Sequence, residues 1–385
     1  MIIPSQHQQD IEKKEIIVAF NCGLDYVVGQ EASYRILNVS HRNYLSGKRR
    51  GFKKTLLDGY RYRNLESCSR SPELFNELYR SGNSQYLDFC YDYVEMCKDA
   101  EIIVQSGGID ILPYQILESK FPKAKKALYF VDDPHATFAY GTPYAFAYEY
   151  AIYTSDSYSP SEKMSSFLSK IGFRTDRVFK LPLCFSNVGE FLVDYKSPED
   201  LIERSGCVYI GGYYGSKAKR LYDVFKNCKS DAFHIYGKYP LFGYAALLRL
   251  FSGEMAFTGR VKTLSIAERE QAYRRFAVGF NLHQSYEPSI ECGNARTYEL
   301  PSRGIAQVLD RPPAIVDSLP FEEGTEALYY DSIDDAIDKI HWLTTHPFQR
   351  AEIAFNGYLR AKSKYQWERC IADILDAIYR DGLKN

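Results

Sequence analysis

The chain has 385 residues, with 45% apolar and 25% charged side chains and a formal net charge of −1. That length exceeds one typical core and predicts two domains, and the balanced charge excludes a global field favouring nucleic acid or membrane. Nine cysteines, an odd number with no C-x-x-C pair, exclude a disulfide or zinc framework and read as reduced thiols. The start, "MIIPSQHQQDIEKKE", lacks a basic-then-apolar signal layout, and no apolar run is long enough to span a bilayer. A cytoplasmic protein is expected, with peripheral membrane contact as the one variation the basic segment below allows. Tyrosine is abundant, at 33 residues. Such rings often contact sugars, bases or partners, although packing is the commoner role of any single one.

In chain order, "EIIVAFN" (15–21), "EIIVQSGG" (101–108), "KALYFVDD" (126–133), "YAIYTS" (150–155) and "RVFKLPL" (177–183) read as buried strands. Segments 86–98, 113–121 and 159–171 read as helices between them. This alternation predicts a parallel sheet covered on both faces. After a polar stretch at 186–206, a second series begins. "CVYIGG", "FHIYGK", "MAFTGRV" and "VGFNLHQS" read as strands, separated by helical stretches 216–228, 240–251 and 264–275. The expectation is α/β: two Rossmann-like, doubly wound domains facing a cleft, with residues 1–190 as the first and 191–365 as the second. From Ser332 to Leu383 the pattern is helical, with Pro347 as a separator. The segment 366–385 is amphipathic around Trp367, Ile371, Ile374 and Ile378, which suits a helix returning to the first domain.

In open α/β sheets, ligands bind beyond the carboxyl ends of strands. "CVYIGGYYGSKAKRLYDVF" runs strand, Gly-rich turn, then a helix with Lys217, Lys219 and Arg220. Gly211 and Gly212 let backbone approach a ligand, and a helix start offers N–H groups to phosphate. A tight turn before a solvated basic helix explains the same residues. Gly211, Gly212 and Gly215 lack the G-x-G-x-x-G spacing, which argues against an NAD oxidoreductase. "ECGNARTYELPSRGI" (291–305) falls at another strand end, after "FAVGFNLHQS". Pro301 is tolerated only in a first turn, so the helix is expected near Thr297, with Glu291 in the loop and Glu299 in the first turn. N–H groups there suit a phosphate, and Arg296 can pair with its oxygens in a forked geometry. A carboxylate nearby can accept from a diol such as a ribose.

These residues resemble a known family. The segment from "NARTYELPSRGIAQVLD" through "LPFEEGTEALYYDSIDDAIDKI" to "RCIADIL" is similar to the C-terminal part of spore-maturation CgeB-type glycosyltransferases. Those belong to the GT-B enzymes with two glutamates seven residues apart. Arg296, Tyr298, Glu299 and Gly304 occupy the matching helix; Pro301 and Arg303 depart from the pattern. The resemblance implies a donor such as a UDP-, GDP- or dTDP-sugar in the second domain and an acceptor facing it from the first. It implies that Glu299 holds the donor ribose and Glu291 the sugar hydroxyls. Arg296, with Lys217 or Arg220, would neutralise the diphosphate, assisted by Gly211, Gly212, Lys238, Asn294, Thr297 and Tyr298 as donor-binding positions. It further implies no cofactor and no metal. "VDDPH" (131–135) places Asp132, Asp133 and His135 at a strand end, as candidates for acceptor deprotonation or for holding the donor sugar. "GKRRGFKKTLLDGYRYR" (47–63) has seven Lys or Arg, three aromatics and one acid, and Lys48, Arg49 and Arg50 suit an anionic acceptor: lipid-linked, a phosphorylated glycan or nucleic acid. Oligomeric state is not legible. A non-catalytic nucleotide- or carbohydrate-binding protein and a nucleotide-sugar epimerase are the alternatives of similar architecture.

Overall fold

The structure is a computed structural model that describes residues 16–21, 34–38, 101–106, 114–130, 142–159, 161–185, 193–212, 216–228, 233–237, 264–283, 294–312 and 319–382, with scattered positions between 80 and 100. The first strands are β1 (Ile16–Asn21), β2 (Tyr34–Asn38) and β3 (Ile102–Ser106), followed by α1 (Tyr114–Lys120), β4 (Lys125–Phe130) and β5 (Tyr150–Tyr153). A short antiparallel pair, β6 (Ser157–Ser159) and β7 (Glu162–Lys163), leads into α2 (Met164–Lys170) and β8 (Val178–Lys180). One sheet runs β2-β1-β3-β4-β5-β8, and β1 pairs in parallel with both β2 and β3. Ile102, Ile103 and Val104, like Ala127, Leu128 and Tyr129, are fully buried, as strands covered on both faces require.

The second series comprises β9 (Ser205–Ile210), α3 (Ser216–Asn227), β10 (Phe233–Tyr236), α4 (Ile266–Arg275), β11 (Phe276–Asn281), α5 (Ala295–Ser302), β12 (Ala306–Asp310) and β13 (Leu328–Tyr330). Three helices follow: α6 (Ile333–Thr345), α7 (Pro347–Lys364) and α8 (Trp367–Gly382). The sheet order is β10-β9-β11-β12-β13, parallel throughout. Its core holds Tyr209, Leu221, Val224, Phe233, Val278, Phe280 and Val308 from the sheet and α3, with Ile340, Leu343 and Ala354 from α6 and α7.

The chain forms two compact units. One is Met1–Tyr129 with Phe138–Ala151 and Leu375–Asn385; the other is Phe130–Thr137 with Ile152–Ile374. Within the first, the Tyr150 hydroxyl donates to Asp381 near the end of α8, at 2.8 Å.

Three local expectations need correction. Ser157–Ser159 and Glu162–Lys163 are strands, where the helix 159–171 is expected to start, because serines there bond local backbone: Ser157 Oγ donates to the Ser159 carbonyl at 2.8 Å. Strands β2, β12 and β13 stand where no strand is expected from sequence, since five residues or fewer give too short a pattern. The helix α5 begins at Ala295, not near Thr297, and contains Pro301 at its seventh position. A proline there leaves the carbonyl four residues earlier, on Thr297, without its helical donor. The Gln307 side chain replaces it, donating Nε2–H to the Thr297 carbonyl at 3.2 Å. Glu299 therefore lies past the first turn. The expected helix 240–251 and strand "MAFTGRV" lie outside the described residues, and 86–98 is described only at scattered positions.

Candidate functional site

From β9 the chain crosses through α3 to β10 on one side, whereas β11 pairs on the other side of β9. The strand order thus reverses between β9 and β11, and a crevice beyond their carboxyl ends is where open α/β sheets bind ligands. Gly211 follows β9, Asn281 ends β11, and α5 starts beside them. The backbone of Gly211 is tied down by its N–H to the Tyr236 carbonyl, 2.9 Å.

Local sequence fixes the start of α5. Asn294 is its N-cap, with its side chain accepting from the Thr297 N–H at 3.1 Å. Thr297 Oγ1 in return accepts from the Asn294 N–H at 3.1 Å, a reciprocal box built from Asn and Thr. The other end closes at Gly304, whose φ of 65° only glycine adopts without strain. Gly279 lets the helix lie close on β11, since a Cβ there would stand 2.8 Å from a Leu300 methyl.

Arg296 is the cation of this crevice. Its Nε donates to Asn281 Oδ1 at 3.3 Å, and its guanidinium lies 5.2 Å from the centroid of the Tyr209 ring. The fork sits over Gly211, where a Cβ would come within 2.7 Å of Arg296 Cζ. A non-charged backbone floor, an arginine fork and a capped helix start form an anion-accepting arrangement. Glu299, on the next turn, accepts from the Tyr273 hydroxyl at 3.1 Å. Tyr273 is 1% exposed, and burial first, then the Glu299 charge, pushes its phenol well above the usual value, so it stays a donor.

Beneath this surface lies a polar layer. Asn281 and Thr297 are fully buried and His283 is 2% exposed. Asp310, at the end of β12, accepts the His283 backbone N–H at 3.0 Å and also contacts His283 Nδ1. His283 Nε2 lies 3.2 Å from Thr297 Oγ1. Asn281 Nδ2 donates to Thr297 Oγ1 at 3.1 Å, and Asn294 Nδ2 donates to Asn281 Oδ1 at 2.9 Å.

The structure thus brings Gly211, Asn294, Arg296, Thr297 and Glu299 together. Gly212 is close by, its carbonyl accepting from the Tyr209 hydroxyl at 2.7 Å. Lys217 and Arg220 lie in the first turns of α3, Lys217 buried and Arg220 half-buried. Tyr298 points away from the crevice, packed with Phe321, Tyr329 and Tyr365, and burial raises its phenol well above the ordinary value. Arg303 pairs with the buried Glu270 in α4, Nε to Oε2 at 2.8 Å. Glu291, Lys238, Asp132, Asp133, His135, Lys48, Arg49 and Arg50 lie outside the described residues. Asn281, His283, Asp310 and Tyr273 are members of this layer that sequence reasoning missed. A polar pair in the run "FNLH" at a strand end was the available signal. Among the described residues, no group of three His, Cys, Asp or Glu is placed to hold a metal ion, and no helix is long and apolar enough to cross a membrane.

Comparison with known proteins bears on the fold. Residues 216–376 match the family model described as glycosyl transferase-like. No curated protein matches the chain in sequence. Among solved structures, Anabaena Alr3699/HepE in complex with UDP-glucose superposes with a TM-score of 0.56 at 12% identity, over 95% of this chain and 99% of that one. An alpha-glucosyltransferase in complex with UDP-glucose and DNA containing an abasic site gives 0.56 at 11% identity, over 75% and 83%. A glycosyltransferase from Rickettsia africae ESF-5 gives 0.55 at 11% identity, over 97% and 100%. At such identities the likeness is one of fold. The chain has the α/β fold of the GT-B glycosyltransferases, and residues 216–376 are similar to the glycosyl transferase-like family.

Proposed function

We propose that this protein is a glycosyltransferase that moves a sugar from a nucleoside-diphosphate donor to an acceptor. The observation that carries the reading is the Arg296 fork held over the Gly211 backbone beside the capped start of α5, at the strand-order reversal of a glycosyl transferase-like region. Charge grows on the diphosphate as the glycosidic bond breaks, so prepositioned cations there lower the barrier directly. Arg296 meets the diphosphate, with Lys217 or Arg220 as a second cation. Glu299, oriented by Tyr273, accepts from the donor ribose; Glu291 takes the hydroxyls of the transferred sugar.

The finer assignment is to the CgeB-like type with its two glutamates, and it rests on the sequence resemblance around Glu291 and Glu299. The second half of the chain serves the donor. The first half serves an anionic acceptor through Lys48, Arg49 and Arg50, with deprotonation by one of Asp132, Asp133 and His135 and with α8 returning to it. The reaction runs without a divalent metal and in the cytoplasm. UDP-glucose, the ligand in the HepE and alpha-glucosyltransferase structures, is the first donor to try. The test is a thermal-shift screen of UDP-, GDP- and dTDP-sugars followed by release of the nucleoside diphosphate. A donor at about 100 times its Kd adds about 2.7 kcal/mol of stability. A folded protein that none of them stabilises, and that releases no diphosphate, sinks the proposal.

A further inference from the structure

The buried layer under Arg296 has a direction that its donors and acceptors fix. An arginine only donates, so the Asn281 atom facing Arg296 Nε must be the carbonyl oxygen. The Asn281 NH2 group then faces the other way and donates to Asn294 Oδ1 at 3.2 Å and to Thr297 Oγ1 at 3.1 Å. Thr297 Oγ1 also accepts the Asn294 backbone N–H at 3.1 Å, so both of its lone pairs are filled. Its one proton needs an acceptor. Asn294 Oδ1, 3.5 Å away, already takes the Thr297 N–H and the Asn281 amide. His283 Nε2, at 3.2 Å, is the remaining acceptor in reach. Nε2 is therefore unprotonated, and Nδ1 carries the proton and donates it to Asp310. The result is a one-way series: Arg296 to Asn281, Asn281 to Thr297, Thr297 to His283, His283 to Asp310.

An Asp–His–hydroxyl series suggests a nucleophile triad, but Thr297 is fully buried with both lone pairs occupied, which leaves it no route to attack a substrate. The series begins instead at the guanidinium. We propose that His283, oriented by Asp310, is a positioning residue for the diphosphate: it takes the Thr297 proton, which commits Thr297 to accept from Asn281 and thereby turns the Asn281 carbonyl toward Arg296. Without that acceptor the threonine hydroxyl competes for Asn294 Oδ1, and the N-cap and the Asn281 amide lose their single arrangement. Low local dielectric and chained polarity make each bond depend on the next. The inference rests on the reading of Arg296 as the diphosphate contact.

The experiment is calorimetry with UDP and UMP on folded full-length variants, foldedness being checked by circular dichroism. His283→Asn keeps a donor toward Asp310 and loses the acceptor for Thr297. Thr297→Val keeps the volume and removes the hydroxyl. Each is expected to bind UDP about ten-fold more weakly, the worth of roughly one buried hydrogen bond, while UMP affinity falls far less. The double variant is expected to match the weaker single one, because the two act through one series. Thr297→Ser recovers most of the loss. Should His283→Asn fail to fold, the isosteric Thr297→Val and its serine rescue carry the comparison. Wild-type UDP affinity in a folded Thr297→Val protein overturns the proposal, as do equal losses for UDP and UMP or losses that add. If wild type binds another nucleoside diphosphate instead, that diphosphate and its monophosphate replace the pair. A wild type that binds none of UDP, GDP, dTDP and ADP removes the donor reading itself, and this role with it; the variant comparisons fail only the role.

Discussion

Gly211→Ala isolates the donor cradle without touching a charged group. Gly211 has no positive φ, so alanine meets no backbone strain there. The added methyl does meet Arg296: Cζ would be 2.7 Å away and Nη2 3.3 Å. A flexible side chain yields before packed strands do, so the guanidinium swings off the β9 end and leaves Asn281 and the Tyr209 ring. The fold should hold, with a melting temperature within a few degrees of wild type, because a rotamer change in a partly exposed side chain costs little. Binding should not hold. A hydrogen bond to a charged group contributes about 1.5–3 kcal/mol, which is about 10- to 150-fold in affinity at about 1.4 kcal/mol per decade. Calorimetry with UDP measures that loss directly. Arg296→Lys, which keeps the charge but loses the fork, should show a comparable deficit, and the double variant should add little to either. A folded Gly211→Ala protein with wild-type affinity would refute the placement of the diphosphate at this strand end.

Further outcomes follow from single contacts. Tyr273→Phe deletes the donor to Glu299 and should weaken nucleotide binding by about ten-fold or less, with the fold intact; unchanged affinity would separate Glu299 from the ribose. Gln307→Leu leaves the Thr297 carbonyl without a partner and should cost about 1–3 kcal/mol in urea unfolding. Pro301→Ala restores the helical N–H, so the same Gln307 change in that background should cost clearly less; equal costs would show that Gln307 does not stand in for the missing donor. Transfer should persist in EDTA, and loss restored by Mg²⁺ or Mn²⁺ would place a metal in the reaction.

Much of the architecture was legible because it rests on local pattern. Runs such as "EIIVQS" and "FAVGFN" are apolar without alternation, which marks strands covered on both faces, and β3 and β11 are buried as that pattern requires. Pro347 at the first position of α7 and Ser332 capping α6 obey rules read within four residues. What escaped was short or compensated from afar. β13 spans three residues, too few to show a period. The start of α5 was misplaced because the rule that proline belongs in a first turn assumes that the orphaned carbonyl stays orphaned. Gln307, six residues further on and in the next strand, removes that assumption.

The same distinction explains the site. Gly211, Asn294, Arg296 and Glu299 announce themselves, since glycines, caps and charges at a strand-to-helix junction have few uses. Asn281, His283 and Asp310 do not. Asn281 and His283 read in sequence as the polar end of a strand, and Asp310 falls in no element expected from sequence. Their meaning is pairwise: the β11–β12 register sets Asn281 beside Leu309, so His283, two residues on, and Asp310, one residue on, meet beyond the carboxyl ends of the two strands. A buried histidine without Asp310 would lack a partner for Nδ1, and a buried threonine without His283 would lack one for its proton. Each residue alone is an unfavourable burial, and only the set is neutral. A polar side chain buried at a strand end is therefore best read as one member of a set, whose other members sit on the neighbouring strand and on the helix that starts between them.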